Sequence, residues 1–244
     1  QSLRALLAEE PMQALRNKTV VLCMKGLEMG TGERLSVIAG ELLHPSCTVA
    51  VWLGPGHVQE FYRGIPNCMV IDSENEQVKR CLVQAFSSDL IRFYYGGDMI
   101  GNEVGAAAKN VVGIAAGFLD GVEMSSLKGA LMSRGTREVA RLIRAMGGNE
   151  LSAYGLCHLG DYEATVFSPY SHNRQFGESF IRHQDYHRLA EGYYTVEALM
   201  VLSERYQVEL PICRAVHAIL YENADPREQL TELLRRGLRA EFDD

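Results

Sequence analysis

Between Val104 and Leu119 the chain is built from Ala, Gly, Val, Ile, Phe and Leu, and only two polar side chains interrupt it, Lys109 and Asn110. A lysine in such a run either carries its amine to water or lies buried, and burial disfavours its charged form. So costly a residue implies a partner or a task, which makes Lys109 the first candidate for chemistry. The small residues around it let another backbone or a ligand come close.

The rest of the composition narrows the setting. With 244 residues, 47% of them hydrophobic, the chain can bury one large core or two modest ones. Its net charge of −7 argues against a nucleic acid or an anionic membrane as partner, while leaving room for a local basic pocket. Val104–Leu119 is too short and too polar at its centre to span a bilayer. No basic, apolar leader opens the numbered chain, so no secretion signal is expected, and Gln at residue 1 suggests that residues precede it. Six scattered cysteines without a Cys-x-x-Cys pair read as reduced thiols of a cytoplasmic protein.

Residues 1–98 alternate in pattern. Short apolar, β-branched runs at Thr19–Met24, Thr48–Leu53, Asn67–Ile71 and Ile91–Tyr95 predict strands. Helical spacing occupies residues 1–18, Glu33–Leu43 and Glu74–Phe86. The alternation predicts an α/β layer with parallel pairing. Beyond Asp98 the patterns are helical, over Gly101–Leu119, Ser125–Met146, Thr195–Tyr206, Pro211–Tyr221 and Pro226–Arg236. The domain boundary therefore falls near residue 98, with 1–98 as the sheet-bearing part and 99–244 all-helical. No Gly-x-Gly-x-x-Gly loop occurs, which argues against a complete nucleotide site in the numbered chain.

Polar positions interrupt the apolar patterns at Lys25-Gly-Leu-Glu, Gly54-Pro-Gly, Gly101-Asn-Glu103 and Lys109-Asn110. They recur at Ser133-Arg-Gly135, His158-Leu-Gly-Asp161, Ser171-His-Asn-Arg-Gln-Phe-Gly177 and Glu191-Gly-Tyr-Tyr-Thr195. In order and spacing these resemble the NAD(P)-dependent glycerol-3-phosphate dehydrogenases, whose pattern runs Lys-Gly-Leu-Glu, Gly-Pro-Ser-Phe-Ala, Gly-x-Glu, Lys-Asn, Thr-Arg-Gly, Gly-Leu-Gly-Asp, Ser-Arg-Asn-Arg-x-Phe-Gly and Glu-Gly-x-x-Thr. The likeness runs from about residue 1 to residue 235.

The resemblance implies the second part of a Rossmann-like domain followed by an all-α domain like the C-terminal domain of 6-phosphogluconate dehydrogenase, with the active site in the cleft between them. It implies interconversion of sn-glycerol 3-phosphate and dihydroxyacetone phosphate with NAD or NADP, and it allows a homodimer. Lys109 matches the family's acid/base on the carbinol oxygen. Lys25, Gly54, Asp161, Ser171, His172 and Asn173 match its substrate contacts, and Lys25, Val58, His172, Leu189 and Glu191 its cofactor contacts. The chemistry suits these residue types: reduction of a ketone needs a proton donor at oxygen as hydride reaches carbon. Lys25 is a candidate second ammonium that would lower the pKa of Lys109, and Asp161 could orient substrate or Lys109.

The chain departs from the pattern in three places. The family's opening segment, with its glycine-rich phosphate loop, has no counterpart here. Gly56 stands where the family has a hydroxyl and Val58 where it has a small Ala. His172 replaces an arginine that clamps the substrate phosphate, and Arg174 could compensate for it. These departures keep a second reading open, a diverged or non-catalytic paralogue with the same cleft. Another alternative is zinc on His183 and His187 at i, i+4, although that segment reads as a solvated helix or loop and no metal is expected.

Overall fold

The computed structural model describes residues 2–56 and 58–235. Four strands form one sheet in the order β1 (Thr19–Leu22), β2 (Thr48–Leu53), β3 (Asn67–Asp72), β4 (Ile91–Tyr95). Two short helices, α1 (Leu3–Leu7) and α2 (Glu10–Gln13), stand where the sequence pattern suggests one. Helix α3 (Leu35–Leu42) carries the chain from β1 to a parallel β2, and α5 (Glu76–Phe86) does the same from β3 to β4. The middle pair differs from expectation, because β2 and β3 are antiparallel, with Val51 opposite Asp72. The connection between them holds one five-residue helix, α4 (Val58–Tyr62). A return of that length lets β3 come straight back along β2, whereas a parallel partner needs a full crossover.

The second half is helical: α6 (Met99–Gly121), α7 (Lys128–Ala145), α8 (His172–Ile181), α9 (Glu191–Tyr206), α10 (Pro211–Tyr221) and α11 (Pro226–Arg235). Helix α6 is its axis, and every residue from Gly101 to Leu119 is buried. Three of its glycines answer to helix α8: a Cβ on Gly117 would collide with the Arg174 carbonyl, one on Gly113 would lie 3.2 Å from Asn173 Cβ, and one on Gly121 2.6 Å from Ile181 Cβ. The small residues thus bring α8's backbone, rather than a ligand, against α6.

Buried polar ties hold the sheet to α6. The Asp72 carboxylate at the end of β3 accepts from Asn102 Nδ2 at 2.8 Å and from the Asp98 amide at 3.0 Å. Lys79 on α5 reaches the Gly96 carbonyl at 2.6 Å. Glu103 accepts from Arg34 at 2.7 Å and from the Ser36 amide and hydroxyl at the start of α3. Each of these buried charges has its partner, which is the condition for tolerating it. The start of α6 is therefore fixed to the strand ends, and the face carrying Lys109 is aimed at the same edge. Among the described residues, no helix is long and apolar enough to cross a membrane.

Candidate active site

Lys109 lies three helical turns into α6 with only 8% of its surface exposed. Its ammonium stands 3.0 Å from Asp161 Oδ2 and donates to Thr165 Oγ1 at 2.8 Å. Asp161 closes a 3-10 turn, Leu159–Asp161, and Thr165 sits in the π-helical turn Glu163–Phe167 that follows. The Thr165 hydroxyl in turn donates to the Asp161 carbonyl at 2.7 Å. Lys25, in the loop after β1, meets the same Asp161 oxygen at 2.6 Å and donates to the Gly54 carbonyl at 3.0 Å.

Two ammoniums thus share one carboxylate in a nearly dry site. Burial is the largest influence on Lys109; with the Asp161 charge opposing it and the Lys25 charge acting with it, the pKa is lowered from 10.5 to about 8. With both lysines protonated the cluster carries one net positive charge, which suits an anionic ligand. A pKa near working pH suits a group that gives up and regains a proton.

A cavity of about 380 Å³ opens beside Lys109, walled by Thr165, Ser171, His172, Asn173, Leu189 and Glu191 among others. Ser171 caps α8, accepting from the Arg174 amide, so the first turn of that helix faces the cavity through Ser171, His172 and Asn173. Asn173 Oδ1 accepts from the Gly192 amide at 2.9 Å, and Asn110 Nδ2 donates to Glu191 Oε2 at 3.1 Å. These two bonds hold the start of α9 against α6 and α8. Leu189 is 65% exposed. The Val58 side chain lies outside the described residues.

Several details differ from the sequence-based expectations. Helix α8 begins at His172, in a stretch to which the sequence pattern assigns no helix. Arg174 cannot stand in for the missing arginine, because its guanidinium is taken by Asp120 at 2.7 Å and Glu178 at 3.0 Å. His172 instead pairs with the Tyr186 hydroxyl at 3.2 Å. Gly56 is smaller than the family residue because Met69 Sδ and Phe61 Cε2 lie 2.9 and 3.0 Å from where a Cβ would sit. Helix α8 stops at Ile181 and His183 has φ of 53°, so His183 and His187 share no helical face. Among the described residues no group of metal-ligating side chains assembles. Thr165 escaped the sequence reading, although its position four residues after Asp161 was the available signal.

A sheet with α/β crossovers, tied to a helical half that carries a buried lysine at a cleft, is the layout of a Rossmann-like dehydrogenase. The family model described as NAD-dependent glycerol-3-phosphate dehydrogenase N-terminus matches residues 1–79, and the C-terminus model of the same family matches residues 98–231. The glycerol-3-phosphate dehydrogenase [NAD(P)+] of Fusobacterium nucleatum is 35% identical over 237 residues, 93% of this chain and 70% of that protein. That of a Thermotoga species is 35% identical over 226 residues, 89% of this chain and 69% of its own. The crystal structure of glycerol-3-phosphate dehydrogenase from Coxiella burnetii superposes with a TM-score of 0.89 at 28% identity, covering 96% of this chain and 74% of that one. The chain belongs to the NAD-dependent glycerol-3-phosphate dehydrogenase family.

Proposed function

We propose that this chain interconverts sn-glycerol 3-phosphate and dihydroxyacetone phosphate, with Lys109 as the acid and base at the substrate oxygen. The observation that carries the reading is the Lys25–Asp161–Lys109 cluster, whose Lys109 lines the cavity. When bound, NAD or NADP supplies or accepts the hydride. The remaining work belongs to this chain. In reduction, the Lys109 ammonium gives its proton to the carbonyl oxygen as negative charge develops there, and in oxidation the neutral amine takes it back. Asp161 and Thr165 hold the amine, and Lys25 keeps its pKa low by like charge.

The substrate phosphate is assigned to the first turn of α8, where Ser171, His172 and Asn173 meet the positive end of a helix. For the cofactor, the donor set fits the nicotinamide ribose: on the cavity wall the Glu191 carboxylate can accept from hydroxyls and Leu189 offers an apolar surface. We assign residues 1–98 to the nucleotide side and 99–244 to the substrate side. Six free thiols support the cytoplasmic setting.

The test pairs binding of glycerol 3-phosphate by calorimetry with reduction of dihydroxyacetone phosphate by NADH and by NADPH. Lys109→Ala should lose turnover by 100-fold or more, on the order of general acid–base contributions, while binding changes far less. Turnover that survives the substitution would overturn the assignment.

A further inference from the structure

His158 and Tyr162 form a hydrogen-bonded pair inside the helical half, both fully buried. The acid–base scheme uses neither. The His158 ring lies with Nδ1 2.8 Å from the Gly105 carbonyl and Nε2 2.7 Å from the Tyr162 hydroxyl. A carbonyl can only accept, so Nδ1 carries the ring proton and Nε2 accepts from the phenol. Burial pushes the imidazole down to about 4, so the pair is neutral at working pH and adds no charge of its own.

Its position is what matters. Gly105 lies one helical turn before Lys109 on the same face of α6. On the other side, the His158 carbonyl accepts from the Asp161 amide at 3.0 Å, and Tyr162 is the next residue along. The pair therefore clamps the turn bearing Asp161 onto the stretch of α6 bearing Lys109. Two glycines make room for it: a Cβ on Gly105 would lie 3.0 Å from His158 Cβ, and one on Gly135 3.1 Å from the Tyr162 hydroxyl. The family pattern Gly-Leu-Gly-Asp has glycine where this chain has His158, and glycine offers no ring to bond.

We infer that His158 and Tyr162 are positioning residues that hold Asp161 against Lys109 and thereby set the proton affinity of the amine. The inference rests on the acid–base reading of Lys109. The groups facing that amine are Asp161, Lys25, the Thr165 hydroxyl and the neutral His158 ring. The Cys157 thiol borders Lys25 and Asp161 and is kept protonated by burial. Of these, only Asp161 favours the charged amine by its own charge. Loosening it should lower the pKa of Lys109.

The experiment reads that titration directly, by NMR of protein carrying isotopically labelled lysine. The sequence has five lysines, and Lys109→Ala assigns the resonance. Tyr162→Phe removes only the hydroxyl; His158→Gln serves as the second variant should the first lose its fold. The expected result is a Lys109 midpoint lower than the parent's by about one pH unit, a tenfold change in the equilibrium, with Lys18, Lys79 and Lys128, which lie outside the Asp161 cluster, unmoved. A parent midpoint near 8 that the variants leave unchanged or raise overturns the positioning role. A parent midpoint at the ordinary lysine value instead overturns the acid–base reading beneath it.

Discussion

The Arg174 guanidinium lies 2.7 Å from the Asp120 carboxylate, itself bound by Lys128 at 2.6 Å. Arg174 is thereby part of the scaffold that joins α8 to the end of α6, and on the proposed assignment the phosphate falls to His172. His172→Arg should therefore tighten glycerol 3-phosphate by about 10- to 100-fold at pH 8, since a charge-assisted contact contributes ~1.5–3 kcal/mol. Calorimetry with glycerol 3-phosphate, and with glycerol as control, reads the gain. An unchanged affinity would mean that the phosphate sits elsewhere.

Lys109 carries a stability cost with a definite pH signature. It titrates at about 8 in the fold against 10.5 for an ordinary lysine. Between those values the unfolded chain holds a proton the native one lacks, so stability rises with pH across that window. Below pH 8 the cost is on the order of 3 kcal/mol, a figure that partial relaxation around Asp161 reduces. Lys109→Met should accordingly be more stable than the parent at pH 7, and the advantage should shrink from pH 8 to 10.5. Urea unfolding at three pH values decides it; a less stable variant at pH 7 would refute the cost.

His158 sets an acid limit of the same origin. Its imidazole titrates at about 4 when folded against 6.5 when free. The unfolded state binds the proton first, so the contribution is intact above pH 6.5 and lost as pH falls toward 4. The loss is on the order of 3 kcal/mol. Melting temperatures from pH 7 to 4 should fall less steeply in His158→Gln than in the parent. Parallel curves would show that another group dominates acid unfolding.

Gly117→Ala should be severe for so small a change. The added methyl would meet backbone at Arg174, Gly177 and Glu178, none of which can turn aside. A loss of about 3 kcal/mol or more is expected, beyond ordinary overpacking. Gly129→Ala, on α7, has open space around its Cβ and should be nearly neutral. Thermal melts of the two variants side by side make the comparison.

Lys109 was legible in the sequence because a single cation in an apolar run is a local signal, and the strands were legible because β-branched runs are local too. Orientation was not. Nothing within Asn67–Asp72 says that β3 runs against β2, because that follows from the connection before it. Helix α8 was hidden by the turn-forming residues that lead into it, Ser168-Pro-Tyr-Ser, and by its burial through Gly177 rather than through a broad apolar face. The commitment of Arg174 to Asp120 spans 54 residues and leaves no trace in the motif around it. The Lys25–Asp161 pair is equally non-local, spanning 136 residues; the resemblance implies both residues as substrate contacts and leaves them unpaired.

The glycine seam between α6 and α8 works as a fixed gauge. Lys109 stands on one backbone and the anion-facing turn on the other, with no adjustable side chain between the two main chains where they cross. On the proposed assignment the two backbones that carry the proton donor and the phosphate turn are therefore held at a fixed separation, and only the side chains reaching from them can adjust. On that assignment a ligand with one carbon more or fewer between its carbonyl and its phosphate should fit both ends less well. The seam itself is a spacing that a single added methyl can break.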